Sequence, residues 1–250
     1  MPQWLEAGGW GLLAGSALVA GAAVGYLVRI PQRVVAWVMA FGAGVLMSAV
    51  SFELFAEAHE RGGLAPTALG AVAGALAYTA CDLALARRGA RHRKRSGGQP
   101  SEAEAAGSGT AIALGALLDG VPESIVIGAG LLGGGAVSAV TVAAVFVSNV
   151  PEGLSSAAGM RRAGRSAGYV FGLWTAIAAA SALAAVAGYT MLGGAPDALI
   201  AGISALAGGA ILVMIANTMV PEAYHDAHQL TGLITVVGFL AAFALSQLGG

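Results

Sequence analysis

The segment Leu118-Asp119-Gly120-Val121-Pro122-Glu123-Ser124 and its near copy Val147-Ser148-Asn149-Val150-Pro151-Glu152-Gly153, 29 residues on, decide how the rest of the chain is read. Each sets polar groups and a proline in the middle of a long apolar run. Asp119 and Glu123 are four apart, as are Ser148 and Glu152, so each pair shares one face of its helix. Each proline lacks an N–H and clashes with the carbonyl four residues back, which frees the carbonyls of Leu118 and Val147. Two such helices side by side would gather Asp119, Glu123, Ser148, Asn149 and Glu152 near one point. Three buried negative charges repel and are poorly solvated, so a positive group is expected among them. A divalent metal ion is the economical candidate.

Working outward, 57 % of the 250 residues are hydrophobic and only 10 % are charged. Soluble domains carry about 25 % charged residues, so the chain reads as an all-α membrane protein. The lone Cys81 excludes an intramolecular disulfide and a cysteine-based metal site. The 39 glycines include the small-x-x-x-small pairs Gly11/Gly15, Gly21/Gly25, Gly70/Gly74 and Gly168/Gly172, which suit close helix packing in lipid. Met1 to Glu6 lacks a basic stretch, so the first span is expected to be retained rather than cleaved as a signal peptide.

A helix needs about 20 apolar residues to cross the hydrocarbon core. That rule predicts eight spans, at 10–29, 34–57, 64–86, 109–131, 136–160, 167–192, 197–222 and 229–248, forming a single domain. The one long connection, about 87–108, opens with a basic run and continues through Ser, Gly, Glu and Ala, the composition of a flexible linker. With the N-terminus outside, eleven of the Lys and Arg residues fall on the inner side and Arg61 alone falls outside. The positive-inside rule then places both termini outside and the 87–108 loop in the cytoplasm of a multi-pass cell-membrane protein. Residues 42–58 can be laid over 207–223 without a gap, at an offset of 165. By this topology the two copies run in opposite directions. The pattern is that of inverted repeats, spans 1–3 against 6–8 with spans 4 and 5 mirrored, as in secondary transporters with midplane sites.

The remaining polar residues carry alternatives. Asp119, Glu123 and Glu152 bind a metal or a proton, or are structural acids kept protonated. No Lys, Arg or His lies in a span near mid-depth, so pairing to a base is not expected. Ser148 and Asn149 either ligate or bond back to their own helix. Glu53 either lines an outer vestibule or, like Glu57, faces interfacial water. Glu222, His225, Asp226 and His228 form an exit site of transition-metal ligands or a solvated loop. Asp82 is expected to be neutralised by Arg87 and Arg88. The basic run 87–95 serves topology and contacts anionic lipid, and no nucleic-acid partner is expected.

Eight spans, both ends outside, a variable loop after span 3, and Val-Pro-Glu-Ser and Val-Pro-Glu-Gly in consecutive spans resemble the ZIP (Zrt/Irt-like) metal-ion transporters, over nearly the whole chain. Gly-Ala-Gly-Val-Leu-Met at 42–47 supports the likeness. The resemblance implies uptake of divalent metals, typically zinc, iron or manganese, into the cytoplasm. It implies a site between helices 4 and 5, movement of one helix bundle against another, and often a homodimer. The departures matter: the family's His-Asn-x-Pro-Glu-Gly reads Asp119-Gly120 in span 4, and Ser148 stands where span 5 often has His. Thr175 stands where span 6 commonly supplies a Glu, and the loop has only His92. Asp, Ser and Asn in place of imidazole make a harder site, which suits manganese better than zinc. The ion stays open.

Two other classes compete. A ZIP-like scaffold or metal sensor without transport would account for the missing histidines. A proton-coupled carrier of another solute would use the same three carboxylates as a relay. An enzyme is not expected: a membrane metallohydrolase needs a motif such as His-Glu-x-x-His, and the four histidines lie at span ends or in loops.

Overall fold

Proline and glycine punctuate the chain into eight helices, in a computed structural model that describes residues 2–90, 93, 99, 101, 103–104, 108–132 and 139–249. Helix α1 (Gln3–Leu27) stops ahead of Pro31, because a residue preceding proline is driven out of the α region. Helix α2 (Gln32–Gly62) starts straight after Pro31 and ends at Gly63, whose φ of 80° favours glycine. Next come α3 (Leu64–Arg88), α4 (Ser108–Ala129) and α5 (Ala139–Arg162). The Ser166 hydroxyl accepts from the Tyr169 N–H at 3.2 Å and caps α6 (Ala167–Leu192). Helices α7 (Asp197–Ala227) and α8 (Leu230–Gly249) complete the order, and there is no strand among the described residues.

Seven of the eight helices are long and apolar enough to cross a membrane. The protein is therefore multi-pass and all-helical. The exception to the expected eight spans is α5, where Ser148, Asn149, Pro151, Glu152, Ser155 and Ser156 dilute the apolar residues. Its position explains why that is tolerated. Helices α1 and α2 cover it, and every residue from Pro151 to Ala157 is buried. A helix enclosed by other helices need not match lipid. Helices α3 and α8 show the opposite pattern, lying at the periphery with Leu69, Leu76, Leu83, Val237 and Leu240 exposed.

Helices α2 and α7 run antiparallel through the centre. Gly42 lies near Met219, Gly208 against the Phe55 ring, and Gly62 against Ala198 and Ala201. Each helix is broken by a wide π turn, Val50–Phe55 in α2 and Ile215–Met219 in α7, and the two turns start 165 residues apart. Each centre helix holds one peripheral helix in the same manner. A Cβ on Gly44 would strike the Thr235 carbonyl of α8, and one on Gly209 would strike the Ala71 carbonyl of α3. Conversely, Gly238 of α8 sits on the Phe41 carbonyl and Gly74 of α3 on the Leu206 carbonyl. Backbones this close exclude any side chain larger than hydrogen.

The bundle's two ends differ in charge. At one, Arg161 Nη1 donates to the Tyr26 carbonyl at 2.7 Å, Tyr26 Oη to the Arg165 carbonyl at 3.1 Å, and Arg165 Nη2 to Ser108 Oγ at 2.8 Å. At the other, Arg61 Nη2 donates to the Leu132 carbonyl at 3.5 Å, and Tyr189 Oη to Gln3 Oε1 at 2.7 Å.

Candidate functional site

Proline 122 lies inside α4 without ending it, and α4 presents Asp119 to the interior, 3 % exposed. The expectation that no base would reach mid-bundle is corrected here. Arg93, from the linker, is itself 3 % exposed and donates to Asp119 through Nε (to Oδ2, 3.1 Å) and Nη2 (to Oδ1, 3.1 Å). This two-pronged geometry matches a planar guanidinium to a carboxylate. Tyr78 Oη of α3 donates to Asp119 Oδ1 at 2.5 Å and accepts from Arg93 Nη2 at 2.9 Å. Arg93 Nη1 reaches Asp82 Oδ1 at 2.6 Å. Asp82 is thus paired with Arg93, whereas Arg87 and Arg88, expected as its partners, are exposed. A sequence search confined to the spans misses this because the guanidinium enters from outside them on a long side chain.

Two residues accommodate the arginine. A Cβ on Gly115 would collide with Arg93 Cδ, so glycine there leaves the channel for the side chain. Gln99 Nε2 donates to the Arg93 carbonyl at 3.0 Å and to the Ser156 carbonyl of α5 at 3.1 Å, tying the linker to the bundle. Further along, Ser101 donates to Glu104 Oε2 from N (2.8 Å) and Oγ (2.9 Å), holding that carboxyl below the usual carboxylate range. Most of the 87–108 linker, His92 included, lies outside the described residues, as do residues 136–138 at the expected start of span 5.

The α5 motif is arranged differently. Ser148 is fully buried and its Oγ donates to the Val145 carbonyl at 2.9 Å, the back-bond expected as one alternative. Asn149 bonds across to α1, with Nδ2 donating to the Ala14 carbonyl at 2.9 Å. Its amide therefore helps fasten α5 to α1. Glu123 and Glu152 are 2 % and 5 % exposed. Across from α4, Thr175 is exposed, so it does not take the place of a span-6 ligand; Trp174 and Ser181 are the buried residues of that stretch.

Asp119 and Glu152 face one narrow cavity of about 10 Å³, together with Arg93, Ile112, Ala116, Ser156 and Trp174. That is room for about one water. Buried Trp174 Nε1 has no hydrogen-bond partner. The expected convergence of all three carboxylates is not seen. Among the described residues no group of three His, Cys, Asp or Glu stands close enough to hold a metal. The physical reason is that α4 and α5 touch only briefly, each packing mainly on other helices, while Asp119 turns toward α3 and the linker.

The outlying candidates scatter. Glu53 accepts from Ser246 Oγ of α8 at 2.5 Å, and Glu57 pairs with Arg61 at 3.7 Å. Glu222 is buried, His225 is exposed against Asp226 at 3.1 Å, and His228 is exposed past the end of α7 with φ 48°. They do not form one ligand set. The functional residues that the sequence reading missed are Arg93, Tyr78 and Trp174. Only the single basic run in the chain's longest connection hinted at the first. Compared with known proteins, the chain matches none of the family models and none of the curated sequences.

Proposed function

We propose that this protein is a membrane carrier of divalent metal cations, of the zinc, iron and manganese class, working by alternating access as in the ZIP family that its motifs resemble. One observation carries the reading: a carboxylate from each proline-interrupted helix, Asp119 of α4 and Glu152 of α5, faces one internal cavity that already accommodates a cation, the Arg93 guanidinium. Electrostatics that stabilise a guanidinium there also favour a metal ion, and carboxylate oxygens with the Ser148 and Asn149 oxygens make a hard ligand set. Glu123, one turn after Asp119, would join once α4 shifts against α5. In this reading the arginine-paired arrangement is the unloaded one, and the ion competes with Arg93 for Asp119.

Eight crossings and the inverted repeat belong to the same proposal. The antiparallel α2 and α7, π turns 165 residues apart and matched glycine contacts to α8 and α3 support it. The eleven-to-one charge bias supports outward termini, a cytoplasmic linker and cargo movement into the cytoplasm. No catalytic role is proposed.

Uptake of radiolabelled manganese and zinc into proteoliposomes tests the reading. The parent is expected to take up at least one ion, and Glu123→Gln and Glu152→Gln each to abolish uptake while still purifying as folded protein. Full uptake by either variant refutes the site. A second reading, a scaffold without transport, is favoured by the tightness of the Arg93 to Asp119 pair, which would then be permanent. It predicts no uptake by the parent and no divalent-ion stabilisation of Arg93→Gln.

A further inference from the structure

A different site lies at the basic end of the bundle. A cavity of about 270 Å³ opens between the end of α1, the start of α2 and the end of α5, lined by Gly25, Val28, Ile30, Val35, Leu154 and Ala158 and by Arg29, Arg161 and Arg162. Three guanidinium groups and no carboxylate line it. Arg29 and Arg162 are exposed, while Arg161 is half-buried and tied to the Tyr26 carbonyl. Like charges are gathered here without an acid of the cavity wall to offset them, so an anion is the complementary occupant. The α2 N-terminus adjoins the cavity, and its Pro31 cap supplies no side-chain acceptor. That adds a weak positive dipole end to the three full charges.

We infer that this cavity binds the phosphate of an anionic phospholipid headgroup. Planar guanidinium groups pair with phosphate oxygens in the two-pronged manner they use for carboxylates. A lipid fits better than a soluble phosphate because an apolar track leads into the cavity. Along α1, Leu13, Val24 and Val28 are all exposed, spaced so that they line one face, and Val28 itself lines the cavity. An acyl chain laid along that face would bring its headgroup to the arginines, at the level where an apolar helix meets water. Basic pockets between membrane helices are suited to such headgroups. The site is independent of the carrier reading, since none of its residues lies in the Asp119 cavity.

The test is thermal unfolding and native mass spectrometry of the full chain in detergent, titrated with phosphatidylglycerol, phosphatidylcholine or glycerol phosphate. Phosphatidylglycerol is expected to stabilise the parent and remain bound, and the other two to do neither at equal concentration. Arg29→Gln should weaken phosphatidylglycerol binding about fivefold, and Arg29→Gln with Arg162→Gln roughly thirtyfold, at about a factor of five per arginine. The control Arg87→Gln with Arg88→Gln, an exposed basic pair away from the cavity, should bind as the parent does. Arg161 is left in place because it also ties α5 to α1. Equal binding of both lipids, stabilisation by glycerol phosphate alone, or parent-like binding by the double variant would each overturn the assignment.

Discussion

The two proline motifs are near copies in sequence and opposites in their surroundings. In α4 the charged Asp119 is held by an arginine and a tyrosine that belong to the linker and α3. In α5 the equivalent position is uncharged Ser148, satisfied by its own helix, and the next residue bonds to α1. The difference extends to the backbone. Gly115 makes room for Arg93, whereas the position 29 residues on is Ala144, buried in ordinary packing. A buried charge recruits a partner from far along the chain and forces small residues around it; a buried hydroxyl asks for neither.

The sharpest way to break this comparison is to remove the arginine. Arg93→Gln leaves the Asp119 charge without its guanidinium, and breaking a buried pair costs about 3–5 kcal/mol. Adding Asp119→Asn should recover most of that loss, read by thermal unfolding of both variants in detergent. No recovery would mean that Arg93 acts through packing alone. If the carrier reading is right, manganese should stabilise Arg93→Gln more than the parent, because the competing cation is gone.

Gly115→Ala sharpens the contrast within α4. Its methyl meets Arg93 Cδ, so overpacking should cost about 1–3 kcal/mol. Gly120→Ala has only Ser181 Oγ at 3.7 Å to meet and should be neutral or stabilising by up to about 1 kcal/mol through helix propensity. The loss at Gly115 should vanish in an Arg93→Ala background. Equal effects at the two glycines would show that the channel does not need the space.

In α5, Asn149→Ala removes one neutral hydrogen bond to α1 and should cost about 1 kcal/mol. The expected gap between this value and that of Arg93→Gln is itself a measurement of how far the two motifs differ. The smallest effect is expected at Thr175, which is exposed: Thr175→Val should change stability by no more than about 0.5 kcal/mol and leave uptake as in the parent. A large loss of uptake there would restore it as a ligand position.

The helices were legible because apolar runs and Pro or Gly breaks are local signals. Pro31, Gly63 and Pro196 mark their boundaries in the sequence, and the wish of Asp119 for a cation could be read from burial alone. The identity of that cation could not. Arg93 is 26 residues from Asp119 and sits in a stretch whose composition describes only a linker. The polarity of α5 pointed to a functional helix, yet its enclosure by α1 and α2 depends on contacts across the whole fold. The π turns also left no composition signal, since Val50–Phe55 uses residues that an α-helix accepts equally well.

Those turns have a consequence for how α2 and α7 tolerate change. An α-helix advances about 100° per residue, so a single deletion normally swings every later side chain to a new face. A π turn already contains one residue more than the helix needs. Shortening Val50–Phe55 by one residue would let the helix close as an ordinary spiral, with the beginning of α2 undisturbed against α5 and the register slip confined to the segment that carries Glu57 and Arg61. The same holds for Ile215–Met219 and the segment carrying Glu222 and His225. Each centre helix thus has a reading frame with a built-in joint, and the acidic outer segments can be re-aimed without taking the middle of the bundle apart.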